Sequence, residues 1–145
     1  MRTSEQTGKD STLESSRYAL IAAEAAAEKK ATDIVVVDVA ELLVVTDYFV
    51  ICTGANDRQV RSIADEIEEQ LRVQCGVKPI GREGEAEGKW VLLDFVDVVV
   101  HVFQPEERDF YRLEHLWADA PRMSLPESVT GPAAPVAREE SPVVE

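Results

Sequence analysis

Side chains able to support chemistry are few and scattered in this sequence. Metal-assisted phosphoryl chemistry needs two carboxylates converging on one cation, which on a strand means positions i and i+2. Asp94 and Asp97 stand three apart and close a chain reversal, so they do not supply that pair. His101 and His115 have neither an HExxH spacing nor cysteine companions, and Cys52 and Cys75 lack the CxxC spacing of a zinc or redox site. The serines concentrate towards the two ends, which leaves no nucleophilic triad. No metal and no cofactor is expected. One stretch keeps an enzymatic alternative open. Thr53-Gly54-Ala55, between a predicted strand and a predicted helix start, is the kind of turn that brings phosphates to a helix dipole. A nucleotide-handling enzyme of nucleotidyltransferase type, using the Gly54 turn, is therefore weighed against a non-catalytic protein.

Recognition is the better use of the most distinctive residues. The stretch Lys89 to Ala120 holds both tryptophans and both histidines. It reads as strand, reversal, strand and Pro-started helix. If the chain reverses around Phe95-Val96, residue 94 pairs with 97, 93 with 98, 91 with 100 and 90 with 101. One face of that hairpin carries Val91, Leu93, Val98, Val100 and Val102, a dry core surface. The other carries Trp90, Leu92, Asp94, Asp97, Val99 and His101. Aromatics with a polar tip beside aliphatics and carboxylates suit a surface that meets a partner. The alternative is a face covered by a helix, with His101 and the aspartates in structural hydrogen bonds. Phe-Val lacks the Gly or Asn that two-residue turns favour, so a four-residue loop over Asp94 to Asp97 is also open.

The elements that position this hairpin follow from periodicity. Ser11 to Glu14 matches a capping box ahead of an Ala-rich helix with Tyr18, Ile21, Ala22 and Ala25 on one face. Asp33 to Val39 and Asp47 to Thr53 read as strands. Asn56 with Gln59 opens a helix whose apolar positions are Val60, Ile63, Ala64, Ile67 and Leu71, and Gly76 closes it. Val77 to Ile80 is a candidate short strand, and the glycine-rich, charged run 81–89 a mobile loop. From Pro105 a helix continues to Ala120, with Phe110, Leu113 and Trp117 towards the core. Residues 1–11 are expected to be loose and 12–120 to form a single α/β domain. Residues 121–145, with five of the seven prolines and no aromatic, are expected to be a disordered tail.

The formal charge of −13 over 145 residues argues against a surface that neutralises phosphates and favours a basic protein as partner. No apolar run approaches membrane-span length and the N-terminal stretch lacks a secretion-signal segment, so the cytoplasm is the expected compartment. An exposed hairpin face can also pair with itself, which makes a homodimer of the unbound protein a further expectation.

Three strings, DYFVICTGANDRQVRSIADEI (47–67), EGEAEGKWVLLDFVDVVVHVF (83–103) and ERDFYRLEHLW (107–117), resemble the ribosomal silencing factor family, also called Iojap-like. The resemblance covers roughly residues 12–120. It implies a mixed sheet packed with helices, of nucleotidyltransferase-like topology but without that activity. It also implies binding to a basic protein of the large ribosomal subunit, number fourteen, where the two subunits join, and so a block on their association and on translation when nutrients run short. Trp90, Asp94, Asp97 and His101 match the family's hairpin motif, and Arg58 with Gln59 its RQV motif. Many members carry Gly where this chain has Val96, and the proline-rich tail lies outside the pattern.

Overall fold

The computed structural model describes residues 4–130, and the surroundings of side chains from residue 13 onward. Expectations for residues 1–3 and 131–145 lie outside the described residues.

The first helix, α1 (Ser4–Glu28), starts earlier than the capping-box motif predicts. Ser11 lies inside it, because the Ala-rich run that follows propagates helix through the polar residues before it. Its small residues Ala19, Ala22, Ala23 and Ala26 are fully buried. Strands β1 (Thr32–Asp38) and β2 (Tyr48–Thr53) come next, then α2 (Asp57–Cys75). Asn56 Oδ1 accepts the Gln59 backbone N–H at 2.9 Å, so the predicted cap is made, and Gln59 Oε1 reaches back one residue beyond it to the Ala55 N–H at 2.7 Å. Gly76 ends the helix at φ 70, the left-handed conformation expected of it.

After α2 the predicted strand at 77–80 is absent. The strand β3 (Gly81–Glu83) forms instead inside the run expected to be a mobile loop. Arg82 explains the difference, since it reaches Asp65 and Glu68 on α2 and Glu85 in the loop at 2.6–2.8 Å. Arg61 also donates to the carbonyls of Glu85 and Ala86, both at 2.8 Å. Gly84, at φ 84, is required here, because a Cβ on it would meet the Trp90 carbonyl oxygen at 1.9 Å.

Strands β4 (Trp90–Asp94) and β5 (Val98–Phe103) complete a five-stranded sheet in the order β1-β2-β5-β4-β3. The β2–β5 pair is parallel and the other pairs are antiparallel. Helices α1 and α2 cover one face, burying Val36, Val50, Val91, Leu93, Val98, Val100 and Val102. The last five are the residues expected on the dry side of the hairpin. The other face carries Val37, Ile51 and Phe103 beneath Leu113, Trp117 and Ala120.

The helix expected from Pro105 to Ala120 is broken. It runs as α3 (Pro105–Tyr111), turns at Arg112 with φ 49 and ψ 49, and resumes as α4 (Leu113–Leu116). The buried Arg108 sets its phase, donating to the Asp33 carbonyl at 2.6 Å, the Thr53 hydroxyl at 2.8 Å and Glu114 at 3.1 Å. Phe110, two residues on and so about 200° round the helix, is thereby turned to solvent with 77% of its surface exposed. Its expected place in the core stripe is overturned, while Leu113 and Trp117 keep theirs.

Residues 121–130 are also more ordered than composition predicts. Pro121 accepts the Asp38 N–H at 2.8 Å, and the Met123 N–H donates to Val36 at 2.9 Å, which pairs this segment with the outer edge of β1. The short α5 (Glu127–Thr130) then buries Val129 in the α1 layer.

Candidate functional site

The hairpin register differs from the expected one by two residues. Trp90 pairs with Phe103, Leu92 with His101, and Asp94 with Val99. The reversal centres on Val96-Asp97 instead of Phe95-Val96, because the Asp97 carbonyl is held in the turn by the N–H groups of Asp47 (2.8 Å) and Tyr48 (3.2 Å). Val96 sits at φ 75, with its N–H donated to Asp94 Oδ1 at 2.8 Å. A shift of two leaves the strand side chains on their expected faces, so Trp90, Leu92, Asp94, Val99 and His101 share one; Asp97, in the turn, departs from the expectation and neighbours Glu14 and Tyr18 of α1 instead.

Their environments are unequal. Trp90, Leu92, Asp94 and Val99 are half-buried along an open strip, whereas His101 is only 5% exposed beneath the aromatic layer. The Trp90 indole N–H donates to His101 Nδ1 at 3.1 Å, which fixes the neutral imidazole with its proton on Nε2. Burial pushes the imidazole pKa down to about 4. His101 Nε2 and Trp117 Nε1 are buried without hydrogen-bond partners, and both rings make T-shaped contacts with Phe49, at 5.1 and 5.7 Å. His101 is therefore a structural support for Trp90 and offers no surface of its own.

Asp97 is half-buried in the turn. Its pKa is raised, first by burial and then by the neighbouring charges of Asp47 and Glu14, which makes the hairpin tip an acidic concentration. Arg58 and Gln59 lie apart from this face, on α2 across the sheet. Gln59 is a tie between elements, donating to the carbonyls of Lys29 and Lys30 at 3.0 and 3.2 Å, while Arg58 is exposed.

The structure adds two residues that the sequence reading did not place here. Tyr111 packs on Trp90 with ring centroids 4.7 Å apart, and Phe110 meets Tyr111 edge-on at 4.9 Å. Leu92, Trp90, Tyr111 and Phe110 thus extend one apolar strip from the hairpin onto α3. No signal in the sequence marks this, because an Arg inside a helix, such as Arg108, is normally read as solvated.

At the Gly54 turn, the Gly54 N–H is donated to Phe103 at 2.8 Å and the Ala55 N–H to Gln59. These two amides of the turn are occupied from within the chain. Cys52 is fully buried, which pushes its thiol up to about 12 and leaves it un-ionised.

Fold and face together define an α/β protein with a mixed five-stranded sheet and an aromatic strip beside an acidic turn. The family model described as ribosomal silencing factor during starvation matches residues 12–143, past the boundary at 120 drawn from composition, and the chain belongs to that family. It is 48% identical over 105 residues to the ribosomal silencing factor RsfS of Bacillus subtilis, covering 72% of this chain and 88% of that one. It is 33% identical over 92 residues to a mouse protein named mitochondrial assembly of ribosomal large subunit protein 1, covering 62% of this chain and 40% of that one. Among solved structures, a crystal structure of a Chromobacterium violaceum protein matches with TM-score 0.66 and 35% identity, covering 86% of this chain and 98% of that one. Among the described residues no helix is long and apolar enough to cross a membrane.

Proposed function

We propose that this protein docks on the large ribosomal subunit through a basic ribosomal protein, number fourteen, and blocks joining of the small subunit by occupying space between them. The observation that carries the reading is the open strip of Leu92, Trp90, Tyr111 and Phe110, with Val99 beside it and Asp94 at its acidic end. Large apolar side chains next to carboxylates fit a basic partner surface that also offers an apolar anchor. The net charge of −13 steers the protein towards such a partner and away from indiscriminate contact with RNA. Family membership and the large-subunit name of the mouse relative support the same reading. Docking of this kind needs no cofactor and no chemistry, and it would take place in the cytoplasm.

The test uses purified subunits. Pre-incubating the large subunit with the protein should reduce the fraction sedimenting as joined ribosomes. Phe110→Ala should weaken binding to the isolated ribosomal protein by about tenfold while leaving the melting temperature nearly unchanged, since the ring is mostly exposed. Unaltered subunit joining at saturating protein would remove the occlusion reading.

A further inference from the structure

A cleft of about 630 Å³ lies at the carboxyl ends of the parallel pair β2 and β5, where α3 leaves the sheet. Ligands of α/β proteins commonly bind outside the carboxyl ends of parallel strands, and this volume is in the range of small-molecule sites. Nothing in the docking reading uses it.

Its lining is unusual for so acidic a chain. Arg108, Arg112, Arg122 and His115 all contribute. Arg108 is committed to Glu114, Thr53 and the Asp33 carbonyl, and forms a rigid floor. Arg112 and Arg122 are exposed, and among the described residues neither has a carboxylate within ion-pair distance. Their positions are nevertheless held by the backbone: Arg112 by the left-handed turn that breaks α3 from α4, Arg122 by its bridge to Val37. A non-glycine residue held at φ 49 costs about 1 kcal/mol or more, and strain of this kind gathers at sites of use. Two planar guanidiniums carried by anchored backbone at the rim of one cleft match a phosphate group, which accepts paired N–H donors from each.

Acceptors are present as well. The exposed carboxylates of Asp33 and Asp109 line the same cleft, and Glu114 Oε1 is buried without a partner. This mixture disfavours a bare anion and favours a ligand that carries hydroxyl or amine donors beside its negative charge. The geometry points to a phosphorylated ribonucleoside as the occupant, with its phosphate between Arg112 and Arg122 and its hydroxyl and base donors towards the carboxylates. The same chemistry is offered by a free nucleotide and by one unit of an RNA strand.

The test compares the wild type with the double variant R112Q/R122Q, which removes two exposed charges and no described ion pair. Calorimetric titration with AMP, ATP and inorganic phosphate, without metal, reports the free source. A salt series of binding to purified large subunits reports the RNA source, with the isolated ribosomal protein as a separate control. Nucleotide binding that is at least about tenfold weaker in the double variant, with inorganic phosphate weaker than AMP, supports a free ligand. Silence with nucleotides, but a double variant whose salt slope on large subunits is shallower by about 2 and whose binding to the isolated protein is unchanged, supports an RNA ligand. Nucleotide binding indifferent to the two substitutions, or no effect in either arm, overturns the proposal. A wild type that ignores the isolated ribosomal protein would count against the docking reading alone.

Discussion

Lowering the pH from 7 to 5 tests the hydrogen bond at the centre of the second sheet face. His101 accepts the Trp90 indole N–H on Nδ1, which it can do only while neutral. Burial lowers its pKa from 6.5 to about 4 in the folded protein. Between those values the unfolded chain binds a proton that the folded chain refuses, so stability rises with pH across the window. The contribution is fully present above about pH 6.5 and is lost as pH falls towards 4. Integrated over the window, the loss is about 2 kcal/mol between pH 7 and pH 5. Other groups titrate too. Burial raises Asp97, whereas for Glu114 burial is outweighed by its own backbone hydrogen bond and by Arg108, so its pKa falls. His101→Gln removes the imidazole titration, keeps an acceptor for Trp90 and leaves those carboxylates in place. Urea melts followed by tryptophan fluorescence at pH 7, 6 and 5 give the difference between wild type and variant, in which the carboxylate terms cancel. The wild type should lose about 2 kcal/mol more than the variant over this range. Parallel decline of the two proteins would mean that His101 is not held neutral, and the reasoning from its burial would fail.

Deleting residues 122–145 should lower the melting temperature by more than about 5 °C, because it strips the Met123 pairing from β1 and Val129 from the core. An unchanged melt would show that the segment contributes no net stability. Arg108→Met should cost about 3 kcal/mol or more in a denaturant melt, since it leaves Glu114 buried without its cation and releases the Asp33 carbonyl and Thr53 hydroxyl. Val96→Gly should stabilise the fold by about 1 kcal/mol, because a β-branched residue at φ 75 is strained where glycine is not. A loss of stability on that change would mean that packing of the half-exposed Val96 outweighs the strain.

What lay in the sequence by itself was whatever depends on neighbours within a few residues. The α2 cap at Asn56 and its end at Gly76, the fully buried stripe from Val60 to Leu71, and the sorting of hairpin residues between two faces all arise from local hydrogen bonds and from periods of 3.6 and 2. The family strings made the silencing-factor membership legible for the same reason, since they span contiguous motifs. What only the tertiary structure decided depends on distant partners. Arg82 turns a glycine-rich loop into a strand by reaching across to α2. The Asp97 carbonyl is claimed by Asp47 and Tyr48 from another strand, and this moves the hairpin register by two. Arg108 bonds to residues 75 and 55 positions away, which rotates α3, exposes Phe110 and adds Tyr111 to the strip beside Trp90. The segment after Pro121 binds an open strand edge that no composition rule can foresee. In each case a side chain or carbonyl is satisfied across a long sequence separation, and that choice has no periodic trace in the chain.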